Sequence, residues 1–562
     1  MKLYEKYLKQ AEFSSYEDFM ENFEIRVPEE FNFAYDVVDY LGEHHGDSRA
    51  IVWCNEAGQE REFTFRDIMK KSNQAANLFR SLGVKKGDHV MLILKRHYQF
   101  WFCMIALHKI GAIGVPGTHL LTTKDLIYRN NYAGVNAVVC TSDGVVAQAV
   151  EEAERKSPDL RLKLMVVSEN PLREGWLDFD ELMAGQPDTF EKPTGDLLPQ
   201  NGDTMLAYFT SGTTGYPKLV RHDFTYPLGH IVTATYWQNV VDGGLHLTVS
   251  DTGWAKSVWG KLYGQWLGGS AVMVYDYDKF VPEVMLGIIQ KYKINTFCAP
   301  PTIYRFLIRE DMSRYDLSSL QYCVIAGEAL NPEIYNRFLE STGIKLMEGF
   351  GQTEMTVAVA TFPWMQPRPG SMGKPSPQYH IDLVDEDLNT VDSGVTGEII
   401  IRPSDNKIPG LFVDYYKAPE LNEKVWEKGV YHTGDIAWRD EQGYFWYVGR
   451  MDDVIKSSGY RIGPFEVESA LMEHDAVVET AVTGVPDEIR GQLVKATVVL
   501  APGYTPSDEL VKELQDYVKN NTAPYKYPRI VEFVDELPKT ISGKIRRVEL
   551  RERDQQRMQA VD

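Results

Sequence analysis

One segment of the chain concentrates the residue types that bind a phosphate group. After an apolar, strand-like run at 205–209 come Thr210, Ser211, Gly212, Thr213, Thr214, Gly215, Tyr216, Pro217 and Lys218. Glycines let backbone N–H groups approach an anion, hydroxyls add donors, and the lysine adds a positive charge. The spacing differs from a Walker-type loop, which requires Gly-x-x-x-x-Gly-Lys-Ser/Thr. The segment predicts a phosphate-binding loop of another kind, with an ordinary Gly/Ser/Thr turn as the alternative.

Five further short motifs follow this segment in a fixed order. They are Gly349-Phe350-Gly351-Gln352-Thr353-Glu354, Tyr431-His432-Thr433-Gly434-Asp435, Gly449-Arg450-Met451-Asp452-Asp453, Ser458-Gly459-Tyr460-Arg461-Ile462-Gly463 and Pro538-Lys539-Thr540-Ile541-Ser542-Gly543-Lys544. The ordered set resembles the adenylate-forming superfamily, which includes acyl-CoA synthetases, luciferases and the adenylation domains of peptide synthetases. The resemblance extends from about residue 50 nearly to the end of the chain, and the set is far more specific than any single motif.

The resemblance implies an enzyme that activates a carboxylic acid in two steps. The acid is first joined to AMP with release of pyrophosphate, and the acyl group then passes to the thiol of CoA. ATP, CoA and Mg²⁺ are therefore the implied cofactors. A free carboxylate is a poor acylating agent because oxide is a very poor leaving group, whereas AMP leaves readily. The site must hold ATP and the acid in line and stabilise charge that develops on the α-phosphate.

The resemblance also assigns the nucleotide-binding residues, motif by motif. The phosphate loop corresponds to Thr210, Ser211, Gly212, Thr213, Thr214, Gly215 and Lys218, and the segments packing against adenine to Gly327, Glu328, Ala329, Gly349, Phe350, Gly351 and Gln352. Asp435 and Arg450 correspond to the pair that binds the ribose hydroxyls, since a carboxylate accepts hydrogen bonds from a diol. Two implied catalytic residues follow: Thr353, near the α-phosphate, and Glu354, which helps to hold Mg²⁺ because that hard cation prefers oxygen ligands.

Residues near the C-terminus carry the remaining implied roles. Lys544 corresponds to the catalytic lysine, whose charge offsets the negative charge between the acyl carboxylate and the α-phosphate. Asp452 corresponds to a hinge about which a small C-terminal domain rotates after the adenylate forms. The rotation would withdraw Lys544 and bring Ser458, Gly459 and Arg461 to the site for the CoA step. Arg461 would contact either the phosphates of CoA or a carboxylate of the large domain, and the sequence leaves this choice open.

Residues outside these motifs decide which acid is activated. Acetate-specific relatives have a tryptophan before the Gln-Thr-Glu triplet, whereas this chain has Gly351, so we expect an open wall that admits more than two carbons. Segments at 228–230, 251–256 and 299–302 resemble the medium-chain branch of acyl-CoA synthetases. The candidate pocket residues are Trp237, Trp254, Lys256, Trp259, Cys298 and Gly351.

The predicted acid is small to medium in size and aliphatic, and a branched chain is included in this prediction. One or two indoles pointing into the cavity would shorten it, which disfavours a long-chain fatty acid. Lys256 is expected to be solvated, with a position near the pocket as the alternative. An aromatic acid such as benzoate is the alternative substrate.

Other functions stay open within the same fold. The acyl group could be transferred to the phosphopantetheine of a carrier protein, or the adenylate could be oxidised as in luciferases. A nucleotide-binding regulator without catalysis is disfavoured because Glu354 and Lys544 are both present.

Composition limits the partners and the location. A net charge of −21 and an isoelectric point of about 5.1 oppose binding to nucleic acid or to an anionic membrane, since both demand a concentrated positive field. The expected partners are a small carboxylic acid, ATP and CoA, and the oligomeric state is open, with a homodimer as one alternative. The cysteines lack a Cys-x-x-Cys pair, which indicates reduced thiols, and they are Cys54, Cys103, Cys140, Cys298 and Cys323. With no signal-peptide pattern at 1–19 and no apolar run of membrane-spanning length, a cytoplasmic location is expected.

Alternating helix-like and strand-like patterns predict a mixed α/β fold. Thr64 is a predicted N-cap, after which apolar residues recur at helical spacing until Gly83. Apolar strands are expected at 90–94, 163–167, 271–275 and 296–299. Short strands separated by turns after Gly370 predict a β-rich subdomain, and a compact α+β unit follows from about residue 453.

The chain length of 562 residues predicts at least two domains. We expect a large N-terminal adenylation domain at 1–451, with subdomain breaks near the Pro-rich stretches 190–202 and 363–377. A small, mobile C-terminal domain is expected at 452–562, with its hinge at Asp452.

Overall fold

The structure is a computed structural model of the chain, and it describes residues 2–167, 171–210, 216–327, 330–404, 407–458, 460–540 and 544–559. Some predicted site residues lie outside the described residues: Ser211, Gly212, Thr213, Thr214, Gly215, Glu328, Ala329 and Gly459. Among the helices of the described ranges, none has the length and apolar character needed to cross a bilayer.

The strands occur throughout the chain. They are β1 (Arg49–Asn55), β2 (Glu60–Thr64), β3 (His89–Ile93), β4 (Ile113–Pro116), β5 (Val135–Thr141), β6 (Leu162–Val166), β7 (Leu177–Asp178), β8 (Thr204–Phe209), β9 (Leu219–Asp223), β10 (Leu245–Thr248), β11 (Ala271–Asp276), β12 (Thr296–Ala299), β13 (Tyr322–Ala326), β14 (Leu346–Phe350), β15 (Val359–Ala360), β16 (Ser371–Pro375), β17 (Ile381–Val384), β18 (Gly397–Ile401), β19 (Asp414–Tyr415), β20 (Tyr431–Arg439), β21 (Phe445–Arg450), β22 (Ile455–Ser457), β23 (Tyr460–Ile462), β24 (Val477–Asp487), β25 (Gly491–Leu500) and β26 (Ile530–Phe533).

The helices alternate with these strands. The α-helices are α1 (Tyr16–Asn22), α2 (Tyr40–His44), α3 (Phe65–Ser81), α4 (Gln99–Ile110), α5 (Thr123–Ala133), α6 (Val146–Glu154), α7 (Phe179–Ala184), α8 (Tyr226–Ile231), α9 (Ala255–Lys261), α10 (Tyr263–Leu267), α11 (Pro282–Tyr292), α12 (Pro301–Leu307), α13 (Pro332–Thr342), α14 (Pro419–Val425), α15 (Pro464–Met472), α16 (Asp508–Asn521) and α17 (Arg547–Gln559). Ala34–Asp39 and Val232–Trp237 are π-helical, and the 3₁₀ turns are Leu3–Tyr7, Gly195–Leu197, Met312–Arg314, Glu427–Gly429 and Pro524–Lys526.

The predicted start of α3 is confirmed, and the reason is a capping box. The Thr64 side chain accepts a hydrogen bond from the Asp67 N–H at 3.2 Å, and the Asp67 carboxylate accepts one from the Thr64 N–H at 2.9 Å. The predicted strand after it is also confirmed. Alternate residues of β3 enter different core clusters, with Val90 in one and Met91 in another, so both faces of its sheet are buried.

Two large sheets form the N-terminal domain. The strand order of the larger sheet is β17-β18-β20-β21-β16-β15-β14-β13-β12-β10-β11-β1-β2, and that of the second is β19-β9-β8-β4-β3-β5-β6-β7. Strand β10 pairs in parallel with β11 and with β12. The pairs β12–β13, β13–β14 and β1–β11 are also parallel, as expected for α/β units. The largest core cluster takes residues from both sheets, including Trp53 of β1 and Leu92 of β3.

The two Pro-rich stretches predicted as subdomain breaks lie at different places in the sheets. Residues 190–202 join β7 to β8, and both strands belong to the eight-stranded sheet. Residues 363–377 contain β16, which pairs with both β15 and β21. The β-rich part that follows Gly370 is therefore not a separate sheet. It continues the larger sheet, because β16 is hydrogen-bonded to β15 on one side and to β21 on the other.

The smaller C-terminal domain has a sheet of its own. Its strand order is β23-β22-β25-β24, and β26 pairs in parallel with β25. The apolar stripe of α16 belongs to the core of this domain, since Leu510, Leu514 and Val518 are buried. The molecule thus has the predicted mixed α/β fold, with a large N-terminal and a small C-terminal domain.

Candidate active site

The predicted motif residues meet where strands of the two large sheets end. β13 and β14 are parallel neighbours in which Ala326 pairs with Gly349, so Gly327 and Gly351 leave the sheet at the same edge. In α/β sheets, ligands bind outside the carboxyl ends of parallel strands. In the other sheet, β8 ends at Phe209, immediately before the predicted phosphate loop.

Asp435 lies at the centre of the site and is almost fully buried, at 3% exposure. Its Oδ2 accepts hydrogen bonds from Gln352 Nε2 at 2.5 Å and from Arg450 Nη1 at 3.1 Å, and its Oδ1 accepts one from the Tyr447 hydroxyl at 2.9 Å. Burial raises the pKa of Asp435, although Arg450 opposes this effect. Three fixed donors therefore orient this carboxylate, and Tyr447 is a site residue that no sequence motif indicated.

Gln352 and Arg450 are themselves held by the strand that carries Asp435. Gln352 Nε2 and Arg450 Nη1 both donate to the Thr433 carbonyl oxygen, at 2.9 and 3.0 Å. The Tyr431 hydroxyl donates to Gln352 Oε1 at 3.0 Å. These contacts join β20, β21 and the segment after β14 into one polar cluster.

Glu354 lies beside Lys218, as the motif assignment requires. The Glu354 carboxylate accepts a hydrogen bond from the Tyr415 hydroxyl at 2.7 Å, and Lys218 Nζ lies 5.4 Å from the centre of the Tyr415 ring. Burial lowers the pKa of Lys218, and the charge of Glu354 opposes this. The Thr210 N–H donates to the Lys218 carbonyl oxygen at 2.8 Å, so both ends of the phosphate loop are anchored at this position. Glu354 offers an oxygen ligand next to that loop, which fits a Mg²⁺ ion bound together with phosphates.

Thr353 is held by a histidine that the sequence did not indicate. His222 on β9 is fully buried, and its Nε2 donates to the Thr353 carbonyl oxygen at 2.8 Å. Burial lowers the pKa of His222 to about 3, so the ring is neutral and its Nε2 carries the proton. His222 therefore supports the backbone between Gln352 and Glu354.

Phe350 and two other histidines complete the surroundings. The Phe350 ring lies 6.2 Å from the Tyr447 ring, at the edge where adenine is expected. The Nδ1 of His432 is hydrogen-bonded to Glu398 at 2.9 Å. His230 is fully buried, and neither of its ring nitrogens has a hydrogen-bond partner among the described residues.

Lys544 of the C-terminal domain acts electrostatically on the nucleotide site. Its charge is close enough to Asp435 to lower the pKa of that carboxylate, against the dominant effect of burial. The Thr540 N–H donates to the Lys544 carbonyl oxygen at 2.7 Å, and the Lys544 N–H donates to Thr540 Oγ1 at 3.1 Å. Two hydrogen bonds therefore join Thr540 to Lys544.

The residues predicted for the CoA step lie elsewhere in this arrangement. Arg461 is paired with Glu386 of the large domain at 3.0 Å, so of the two predicted alternatives the structure shows the carboxylate contact. Ser458 has a left-handed backbone (φ 51°), and its N–H donates to the Arg490 carbonyl oxygen at 2.9 Å. Asp452 Oδ1 lies 4.0 Å from Arg450 Nε.

The open wall expected at Gly351 is wrong, because an indole fills the space. A Cβ atom on Gly351 would lie 2.4 Å from the Trp259 ring and 2.6 Å from the Thr356 carbonyl oxygen. A Cβ atom on Gly349 would likewise lie 2.5 Å from the Trp237 ring. The two indoles are perpendicular, with ring centres 6.4 Å apart. The absence of side chains at both glycines therefore makes room for tryptophans.

Lys256 is not the freely solvated residue that we expected. Its Nζ donates to the Ala326 carbonyl oxygen at 2.7 Å, next to Gly327. Burial raises the pKa of the Cys298 thiol, and the charge of Lys256 is the largest opposing effect, so these two residues are near neighbours. Trp254 is half-buried and directly precedes α9, the helix that carries Lys256.

The chain matches known families over most of its length. Residues 39–411 match the family model described as AMP-binding enzyme, and residues 466–544 match the AMP-binding enzyme C-terminal domain. Acyl-coenzyme A synthetase ACSM3, mitochondrial, of Homo sapiens is 41% identical over 551 residues, which cover 96% of this chain and 93% of that protein. Acyl-coenzyme A synthetase ACSM4, mitochondrial, of Mus musculus is 41% identical over 538 residues, covering 94% and 91%.

Solved structures of CoA ligases share the fold. The anthranilate CoA ligase AuaEII in complex with anthranoyl-AMP superimposes with a TM-score of 0.84 at 29% identity, covering 95% of this chain and 99% of the other. A benzoate CoA ligase from Burkholderia xenovorans LB400 gives a TM-score of 0.77 at 26% identity, covering 93% and 100%. The chain therefore belongs to the AMP-binding enzyme family, and within it to the acyl-coenzyme A synthetases.

Proposed function

We propose that the protein is an ATP-dependent, AMP-forming CoA ligase that activates a small to medium carboxylic acid through an acyl-adenylate. The observation that carries this proposal is the convergence of residues from both domains on one site. Asp435, Gln352 and Arg450 form a fixed polar cluster, Glu354 lies beside Lys218, and Lys544 approaches from the C-terminal domain.

In the first half-reaction, the chain's own residues hold the nucleotide and neutralise charge. Asp435 accepts hydrogen bonds from the ribose hydroxyls, and Lys218 with the phosphate loop binds the β- and γ-phosphates. Glu354 is the residue that would hold Mg²⁺, which offsets the negative charge of the phosphates when it is bound. Lys544 stabilises the negative charge on the carboxylate and α-phosphate while pyrophosphate leaves.

In the second half-reaction, the C-terminal domain takes another orientation. We place the boundary after residue 451 and the hinge at Asp452, so residues 452–562 move as a unit. Support comes from Arg461, which contacts the exposed Glu386 of the large domain while the charge of Lys544 acts on Asp435. Rotation would exchange Lys544 for the loop with Ser458, Gly459 and Arg461, and CoA would then attack the adenylate carbonyl.

The acid pocket is shaped by the two indoles that pack on β14. Trp259 occupies the space beside Gly351 and Trp237 the space beside Gly349, which leaves less length than an open glycine wall would provide. Cys298, Lys256 and Trp254 complete the proposed wall. A chain of about four to eight carbons, with preference for the shorter and branched members, is the substrate class that this crowding supports.

The proposed location is cytoplasmic. All five cysteines are free and buried, as in a reducing compartment. The two relatives described above carry mitochondrial names, so the location requires its own test. A fluorescent fusion of the full chain imaged in its host, together with fractionation, would decide between the compartments.

A panel of acids tests the function. We would measure pyrophosphate release with ATP and Mg²⁺ for straight, branched and aromatic acids, each with and without CoA. Sustained turnover that requires CoA and peaks at about four to eight aliphatic carbons supports the proposal. A peak at benzoate moves the protein to the aromatic-acid ligases, and a single burst that CoA does not convert to turnover indicates a carrier-protein acceptor.

A further inference from the structure

A cluster of four charged side chains lies inside the C-terminal domain. Arg547 makes bidentate hydrogen bonds to Glu468, with Nη2 at 2.8 Å from each carboxylate oxygen and Nε at 3.2 Å from Oε1. Arg547 Nη1 also lies 3.8 Å from Asp453, and Arg551 Nη1 donates to Asp453 at 2.5 Å. The side chains of Asp453 and Glu468 are 9% and 6% exposed. Two carboxylates and two guanidinium groups thus neutralise one another away from solvent.

The members of this cluster come from parts of the domain with different roles. Asp453 directly follows the proposed hinge residue Asp452, and Arg547 is the third residue after Lys544. Glu468 lies on α15, and its Oε1 also accepts a hydrogen bond from the Val482 N–H of β24 at 2.8 Å. The cluster therefore connects the start of the moving domain, its first helix, its sheet and the segment that presents the catalytic lysine.

The charged cluster is one of the contacts that hold the segment carrying Lys544 onto the rest of the domain. The lysine side chain is exposed and its backbone is hydrogen-bonded to Thr540, while the neighbouring Ile545 pairs with Lys539 and packs against buried apolar residues of the domain. Arg547 begins α17, so its side chain holds the first turn of that helix onto α15 and onto the residue after the hinge. Bidentate guanidinium–carboxylate pairs fix both distance and orientation, which a single ion pair does not.

We infer that Arg547 is a positioning residue for the first half-reaction: through Glu468 and Asp453 it fixes Lys544 relative to the hinge, so that domain rotation places the lysine accurately. This inference rests on the proposed roles of Lys544 and Asp452. The alternative is that the cluster only stabilises the fold of the domain, because removing one partner of a buried ion pair leaves an unpaired charge.

The two half-reactions separate these explanations. Ser458 and Arg461, which serve the second half-reaction, lie in the same domain but are held by the pairing of β22 with β23 and by the Arg490 carbonyl oxygen. A loss of domain folding would impair both half-reactions, whereas misplacement of Lys544 would impair adenylation only. A displacement of about 1 Å in a catalytic group can reduce a rate by about 10²-fold.

The experiment compares Arg547→Gln and Arg547→Lys with a matched control in the full-length protein. The control is Arg553→Gln, because Arg553 lies on the same helix and makes only an exposed ion pair with Glu549, at 2.6 Å, among the contacts described. Adenylation is measured as acid-dependent exchange of pyrophosphate into ATP without CoA, and thioester formation is measured from supplied acyl-adenylate and CoA.

For Arg547→Gln we expect about a 10²-fold loss of adenylation with thioester formation within about threefold of wild type. Arg547→Lys should recover part of the adenylation rate, because lysine keeps the charge without the bidentate geometry. Equal loss of both half-reactions, or loss of neither, overturns the inference. Lys544→Ala is measured in parallel: if it does not impair adenylation selectively, the proposed role of the lysine fails, independently of the result for Arg547.

Discussion

The substitution Asp435→Asn tests whether the buried polar cluster recognises the nucleotide. Asp435 accepts hydrogen bonds from Gln352, Arg450 and Tyr447, and it is ionised when paired with Arg450. Asparagine has nearly the same shape but only one side-chain oxygen, and its amide N–H₂ would face at least one of these donors. The change therefore removes a charge and misorients the group that we assign to the ribose.

The size of the effect follows from the strength of charge-assisted hydrogen bonds. A hydrogen bond to a charged group contributes about 1.5–3 kcal/mol. If the ribose contacts weaken by this amount, the KM for ATP rises by about 10- to 150-fold, since 1.36 kcal/mol corresponds to a factor of ten. Nucleotide contacts are used in both half-reactions, so adenylation and use of supplied acyl-adenylate should weaken together, unlike in Lys544→Ala.

Steady-state kinetics with varied ATP at saturating acid would measure this effect. The matched control is Asp387→Asn, which removes an exposed carboxylate in the same β-rich part of the large domain. Its KM for ATP should stay within about twofold of wild type. A KM for ATP in Asp435→Asn that equals the control value, with unchanged kcat, would refute the assignment of Asp435 to the nucleotide.

Three further predictions concern packing, metal and pH. Gly351→Ala should lower the stability by about 1–3 kcal/mol and reduce activity with every acid, because its Cβ would lie 2.6 Å from the Thr356 carbonyl oxygen; an unchanged melting temperature contradicts this. Glu354→Gln should raise the Mg²⁺ concentration needed for half-maximal adenylation, and a Mg²⁺ titration that matches wild type contradicts this. Burial lowers the pKa of His246 to about 3, so as the pH falls below about 6.5 the unfolded chain takes up a proton that the folded chain does not, and stability falls. His246→Gln should reduce that fall by up to about 1.4 kcal/mol per pH unit in denaturant unfolding between pH 7 and 5, and an unchanged slope contradicts the prediction.

Local elements of the fold could be predicted because their signals lie within a few residues. The capping box at Thr64 and the end of α3 before Gly83 depend on neighbouring groups, and the structure confirms both. The arrangement of the sheets could not be predicted in this way. β1 pairs with β11, more than two hundred residues later in the chain, and no local pattern specifies that partner.

The same distinction between local sequence signals and long-range contacts applies to the site residues. The ordered motifs located Asp435, Gln352 and Lys544 because each lies in a short segment of recognisable residue types. Tyr447 and His222 were missed because they act through single hydrogen bonds formed only after folding.

The acid pocket was misjudged for a related reason. Gly351 indicated an open wall, but the Trp259 ring fills the space beside this glycine. Trp259 lies on α9, which is distant from Gly351 in the sequence. Lys256 was expected in solvent, but its Nζ donates a hydrogen bond to the Ala326 carbonyl oxygen. That partner lies on a strand distant in sequence, so no local pattern indicated it.

The most direct test of the account is to measure both half-reactions of Lys544→Ala beside wild type. Adenylation is followed by acid-dependent pyrophosphate exchange, and thioester formation by mass spectrometry after supplying acyl-adenylate and CoA. Adenylation should fall by at least about 10²-fold while thioester formation stays within about threefold of wild type. Equal loss of the two half-reactions, or full retention of adenylation, would contradict an enzyme that uses one lysine for the first step and rotates it away for the second.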